Sequence, residues 1–91
     1  MVSRKVKVIN PSGLHLRPAG ILCNKAMNYK SLITFEYEDK IKTGVANAKS
    51  VLSVLGACVK SGDVIELKCE GEDEEEALEA LTLAIESGLG E

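Results

Sequence analysis

The chain has no tryptophan, and aromatic residues make up only 3% of its 91 positions. Its core must therefore be built from Val, Ile, Leu and Ala rather than around large rings. It has one histidine and three widely spaced cysteines, Cys23, Cys58 and Cys69, with no C-x-x-C pair. That spacing argues against a zinc site, and no metal or other cofactor is expected. The cysteines read as small buried hydrophobes, Cys23 and Cys58 on apolar helical faces and Cys69 on a strand. No apolar run approaches the ~20 residues of a membrane span. The stretch Met1 to Val8 alternates in character and lacks the continuous apolar segment of a signal peptide, so a cytoplasmic protein without membrane association is expected. Basic residues do not dominate. Eleven Lys and Arg against 14 Asp and Glu give a net charge of −3, which argues against a nucleic-acid partner.

What is present is enough for one small domain spanning 1–91: 45% of residues are hydrophobic, and no long polar tract suggests disorder. Residues 2–9 alternate, with Val2, Val6 and Val8 on one face, and predict a strand. Asn10-Pro11-Ser12-Gly13 is dense in turn formers. Ala19, Leu22, Cys23, Ala26 and Met27 carry the spacing of an amphipathic helix over 17–28. Ser31–Glu38 is rich in β-formers, Glu38-Asp39 suits a tight turn, and Lys40–Val45 makes a short third strand. Asn47 is a candidate N-cap for a second helix with Val51, Val54, Leu55 and Cys58 on one face. Val64–Cys69 alternates as a fourth strand. Asp73 caps a third helix with Ala77, Leu78, Leu81, Ala84 and Ile85 inward, and Gly88 stops it. The acidic run Glu70–Glu76 reads as a solvated first turn favoured by the helix dipole. The order β-α-β-β-α-β-α predicts an α+β open-faced sandwich: a four-stranded, mainly antiparallel sheet with three helices on one face.

The single histidine stands in Gly13-Leu14-His15-Leu16-Arg17-Pro18-Ala19. Gly13 permits a tight turn, and Pro18 suits the first turn of a helix. His15 is therefore expected at a helix N-terminus, where free N–H groups and the dipole attract an anion. Arg17 offers a positive fork matched to a phosphate. A neutral imidazole beside an anion site is equipped to accept a phosphoryl group. A capping or surface histidine is the plainer alternative.

Two segments carry a family resemblance. Ser12-Gly13-Leu14-His15-Leu16-Arg17-Pro18-Ala19 and Asn47-Ala48-Lys49-Ser50-Val51-Leu52-Ser53-Val54-Leu55 resemble the HPr family, the histidine-containing phosphocarriers of the bacterial sugar phosphotransferase system. The acidic start of the last helix and the ending Gly88-Leu89-Gly90-Glu91 add a weaker third match. The resemblance spans essentially the whole chain. It implies a carrier rather than a stand-alone enzyme. Enzyme I would place a phosphoryl group on His15, on Nδ1 in the family, and sugar-specific IIA proteins would receive it. Arg17 aligns with the arginine beside the phosphorylated histidine. Ser50 aligns with a serine that a bifunctional kinase/phosphorylase modifies, the modified form acting with a catabolite control regulator.

Several further expectations follow. Ser12 either donates its hydroxyl to the phosphate or makes a turn bond, and Leu16 and Arg17 complete the phosphate environment. Leu16, Ile21, Leu52 and Leu55 are candidates for an apolar docking patch beside His15, in a protein expected to be monomeric. The chain is a few residues longer than the family pattern about Lys42–Ala46, which is expected as a surface loop. The alternative function is a regulatory HPr paralogue acting through Ser50 as a binding module in catabolite control. Those paralogues lack the active histidine, and this chain keeps it.

Overall fold

The computed structural model describes residues 1–38 and 43–91. Alternating apolar and polar residues produce four strands, β1 (Val2–Lys7), β2 (Leu32–Glu38), β3 (Thr43–Asn47) and β4 (Val64–Glu70). All neighbouring pairs are antiparallel, in the order β1-β4-β2-β3. Because side chains alternate between faces, the register sorts them cleanly. Val6 lies opposite Ile65, Ile33 opposite Cys69, and Phe35 between Leu67 and Ala46. All seven are buried. On the other face Lys5 lies opposite Glu66, and Glu36 lies opposite Glu66 as a like-charge pair. The diagonal ion pair of Lys68 with Glu36 offsets that repulsion; the Glu36 hydrogen bond raises the Lys68 pKa, against a smaller opposing effect of burial.

Three helices, α1 (Leu16–Ala26), α2 (Val51–Gly56) and α3 (Glu74–Glu86), cover the apolar face. α1 buries Pro18, Ala19, Leu22, Cys23 and Ala26, and α3 buries Ala77, Leu78, Leu81, Thr82 and Ile85. The result is the open-faced sandwich read from the sequence. Among the described residues no helix is long and apolar enough to cross a membrane. α3 ends in a Schellman turn, with the Leu89 N–H reaching back to the Ala84 carbonyl at 3.1 Å and Gly88 at φ 93°.

Several local expectations are corrected. Asn47 does not cap α2. It is the last residue of β3, opposite Thr34, and its side-chain oxygen receives the Lys49 N–H at 2.9 Å. Ser50 is the cap, its hydroxyl accepting the Ser53 N–H at 3.2 Å. Strand β3 runs Thr43–Asn47 rather than Lys40–Val45, because Thr43, Gly44, Val45 and Ala46 pair with Glu38, Tyr37, Glu36 and Phe35. Within the stretch expected as a loop, residues 43–46 are thus strand; the turn at Glu38-Asp39 and the residues up to Lys42 fall at least partly outside the described residues. Cys58 is not buried. It follows the end of α2 in a left-handed conformation at φ 54° and is exposed. Asp73 precedes α3 but makes no side-chain cap bond. Its carboxylate instead takes the N–H groups of Lys30 and Ser31 at 2.8 and 2.9 Å, together with the Ser31 hydroxyl. These bonds hold the Asp73 carboxyl below its ordinary pKa, the Ser31 hydroxyl contributing most.

Candidate functional site

The segment leading out of β1 is tied down before it reaches His15. Val8 donates its N–H to Asp63 O at 2.8 Å, Gly13 to Asn10 O at 3.0 Å and Leu14 to Val59 O at 3.0 Å. The side-chain amide of buried Asn10 donates to Gly13 O. Gly13 has φ 63°, and a Cβ there would lie 2.5 Å from Val59 O and 2.8 Å from Lys60 Cα. Any larger residue would force these backbones apart.

This turn delivers His15 to the N-cap of α1 with extended backbone, φ −77° and ψ −175°. The first intrahelical bond runs from Ala19 N–H to His15 O at 2.8 Å. The N–H groups of Leu16 and Arg17 lie in the first turn and have no carbonyl partner within the helix, and Pro18 has no N–H to satisfy. The His15 side chain makes no cap bond to its own helix. An exposed imidazole thus stands at the positive end of an 11-residue helix, with the exposed Arg17 on the same turn. A helix start with free N–H groups and a nearby positive side chain is an environment that attracts anions.

The family model described as "PTS HPr component, phosphorylation site" matches residues 2–87. The chain belongs to the HPr family. It is therefore a phosphocarrier of the phosphotransferase system and not a catalyst in its own right. It is 44% identical to the phosphocarrier protein HPr of Lysinibacillus sphaericus over 92 aligned positions, covering 100% of both chains. It is 38% identical to the HPr-like protein Crh of Halalkalibacterium halodurans, over 94% of this chain and 98% of that one. A crystal structure of HPr from Thermoanaerobacter tengcongensis superposes with a TM-score of 0.87 at 38% identity, covering 100% of this chain and 98% of that one.

Within this HPr fold, Ser12, His15, Leu16 and Arg17 share one end of α1. Ser12 is not free: its hydroxyl donates to the Glu91 carboxylate, 2.8 and 2.7 Å from the two oxygens, and its N–H reaches the same group at 3.2 Å. The Asn10 amide adds a bond at 3.2 Å. The Glu91 carboxyl is held below its ordinary pKa chiefly by the Ser12 hydroxyl, then by the Ser12 N–H and Asn10, with the Arg17 charge assisting. Glu91 belongs to the weaker third match in the sequence, but no spacing rule points from it to His15. Only the fold brings the two regions together.

Ser50 stands apart from this cluster. Gly13 and Leu14 meet Val59 and Lys60 at one end of the α1–α2 pair, and at the other the Lys49 ammonium donates to Tyr29 O at 2.6 Å. The two helices are therefore antiparallel, and Ser50 lies toward the far end from His15. Leu16 and Leu52 are 61% and 82% exposed, and Ile21 is exposed beside Gly90. Leu55 is half-buried against the core, so it presents less surface than the other three. A recess of about 890 Å³ over the sheet, lined by Lys5, Glu36, Glu38, Val45, Val64 and Glu66 among others, includes none of these residues.

Proposed function

We propose that residues 1–91 act as one cytoplasmic, monomeric HPr-like domain whose His15 takes a phosphoryl group from phospho-enzyme I and hands it to sugar-specific IIA proteins. The observation that carries this reading is the exposed imidazole at the start of α1, unbonded to its own helix. The donor's bond to phosphorus breaks, its electron pair stays with the donor group, and the proton on the other His15 ring nitrogen is given up. A ring-nitrogen lone pair of neutral His15 makes the new bond. Charge spreads over the three phosphoryl oxygens in transit. Arg17 and the first-turn N–H groups are the donors at hand to meet that charge. Because they lie at the surface, they hold the group without enclosing it, and a second protein can take it away.

Leu16, Ile21 and Leu52 supply exposed apolar area of the kind a partner buries, and Leu55 adds its part-exposed edge. Ser50 is the proposed regulatory site for a serine kinase/phosphorylase. Its hydroxyl already faces the start of α2, where a phosphate retains acceptor oxygens for the Ser53 N–H. A phosphate beside Leu52 adds charge to a surface that enzyme I has to desolvate.

The test is incubation with enzyme I and phosphoenolpyruvate, followed by intact mass. One acid-labile, base-stable phosphoryl group is expected on the wild type and none on His15→Ala. Labelling that survives the substitution would overturn the assignment.

A further inference from the structure

Among the described residues three polar side chains are buried, and one of them, Asn10, stands just upstream of His15. Its backbone O accepts the Gly13 N–H at 3.0 Å, and its side-chain Nδ2 donates to Gly13 O at 2.5 Å. One residue thus holds both peptide groups that flank Gly13. The second of these peptides is held from its other side as well, because the Leu14 N–H goes to Val59 O at 3.0 Å. His15 comes next, and its extended backbone sets where the first-turn N–H groups of α1 point.

The Asn10 amide has one possible orientation. Both of its partners, Gly13 O and the Glu91 carboxylate at 3.2 Å, are acceptors, so the nitrogen must face them. The cost shows on the other side of the group. Asn10 Oδ1 is buried and has no hydrogen-bond partner among the described residues. A leucine has nearly the same shape and would orphan no oxygen. Packing alone therefore does not account for an amide at this position, whereas the bond to Gly13 O does.

We infer that Asn10 is a positioning residue for phosphoryl acceptance: its side-chain amide fixes the Gly13–Leu14 peptide and, through it, aims the His15 backbone and the first-turn N–H groups of α1 at the incoming phosphoryl oxygens. The inference rests on the reading of His15 as the acceptor. Gly13 is buried, so without the amide its carbonyl loses its donor and the peptide turns to find another. The N–H groups then meet the charge in transit less directly. Aim of this kind acts on the transition state rather than on docking, so its loss falls on kcat.

Phosphorylation by enzyme I and phosphoenolpyruvate, read by intact mass, compares wild type with Asn10→Leu after the amide spectrum has shown both to be folded. The substitution keeps the bulk, removes the donor to Gly13 O and removes the orphaned oxygen. The kcat is expected to fall about two- to tenfold, the scale of one neutral hydrogen bond, with the KM for the carrier unchanged. Inorganic phosphate should perturb the Leu16 and Arg17 amide resonances of the variant only at about two- to tenfold higher concentration than in wild type. A purely structural Asn10 would move the urea midpoint and leave both quantities of the folded protein alone. Asn10→Ala, which adds no bulk, carries the same measurements if Asn10→Leu does not fold. Unchanged kcat or unchanged phosphate affinity in the folded variant overturns the inference, and a label present on wild type and absent from His15→Ala then leaves the acceptor reading intact. A label absent from wild type, or present on His15→Ala, refutes the acceptor reading and the inference with it.

Discussion

A single methyl group placed on Gly13 tests how the His15 turn is held. Gly13→Ala faces two separate costs. A left-handed φ of 63° is unfavourable for an L side chain by about 1–2 kcal/mol. The added Cβ also meets Val59 O at 2.5 Å and Lys60 Cα at 2.8 Å. Both are backbone atoms that cannot swing away, so the overpacking term of about 1–3 kcal/mol applies. Gly62 supplies the control. It also has positive φ, 94°, but nothing lies within 4 Å of its would-be Cβ, so Gly62→Ala carries only the conformational term. Urea unfolding of both variants should therefore show Gly13→Ala less stable than Gly62→Ala by about 1–3 kcal/mol at equal m-values. The backbone movement that relieves the clash displaces Leu14 from Val59 and turns His15 away from its present orientation. Phosphorylation by enzyme I should then slow in Gly13→Ala and remain normal in Gly62→Ala. Equal destabilisation of the two variants would refute the claim that close packing on Val59 and Lys60 positions this turn.

Arg17 is exposed and makes no ion pair among the described residues, so Arg17→Ala should change stability by less than about 0.5 kcal/mol while slowing phosphoryl transfer; calorimetry and stopped-flow transfer from enzyme I separate the two effects. Ser50→Ala removes the α2 cap and should cost about 0.5–2 kcal/mol, whereas Ser50→Asp keeps an acceptor for the Ser53 N–H, leaves circular dichroism unchanged and raises the Michaelis constant for enzyme I. Asp73 has a folded-state pKa below its unfolded value, so its stabilisation is complete above the ordinary carboxylate pKa of about 3.9 and is lost as pH falls through the lower folded value; Asp73→Asn should be less stable at neutral pH and show a flatter acid slope in urea midpoints measured from pH 2.5 to 7. Cys58 is exposed and should react with a thiol reagent in the native protein, while Cys23 and Cys69 should react only after unfolding. Burial raises both, the Cys69 thiol to about 11 with help from the Asp73 and Glu74 charges.

Periodicity made most of the architecture legible. Alternation marked β1 and β4, β-forming residues marked β2, and the apolar stripes of α1 and α3 predicted which face each helix buries, except for Met27, which follows the end of α1 and is exposed. The His15 turn was equally legible, because Gly13 and Pro18 are local signals with fixed backbone consequences. What failed depended on competition between local signals. Asn47 and Ser50 are both good caps, and the choice was made by pairing. The Asn47 backbone continues β3 beside Thr34, and its N–H goes to the Ser53 hydroxyl at 2.8 Å, which leaves Ser50 to start the helix. Cys58 fits the helical stripe by spacing, yet α2 ends two residues earlier and the chain turns left-handed, carrying the thiol outward. Glu91 was invisible as a site residue for another reason. Its partner Ser12 lies 79 positions away, a distance that no helical or strand period spans.

The place of β4 between β1 and β2 governs the order in which this protein can be made. β1 leaves the ribosome first, but its sheet partner lies near position 65. The carbonyl groups of Val59 and Asp63 that secure Leu14 and Val8 are also made late. Until that stretch has emerged, the histidine segment is an unpaired tail of a nascent chain. At elongation rates of about 5–20 residues per second, the gap lasts seconds, long compared with the closing of helices and hairpins. On the proposed reading of His15 as the acceptor, the site becomes competent only after the stretch around positions 59–65 has emerged, and a product that ends before it has no ordered site on which to trap a phosphoryl group.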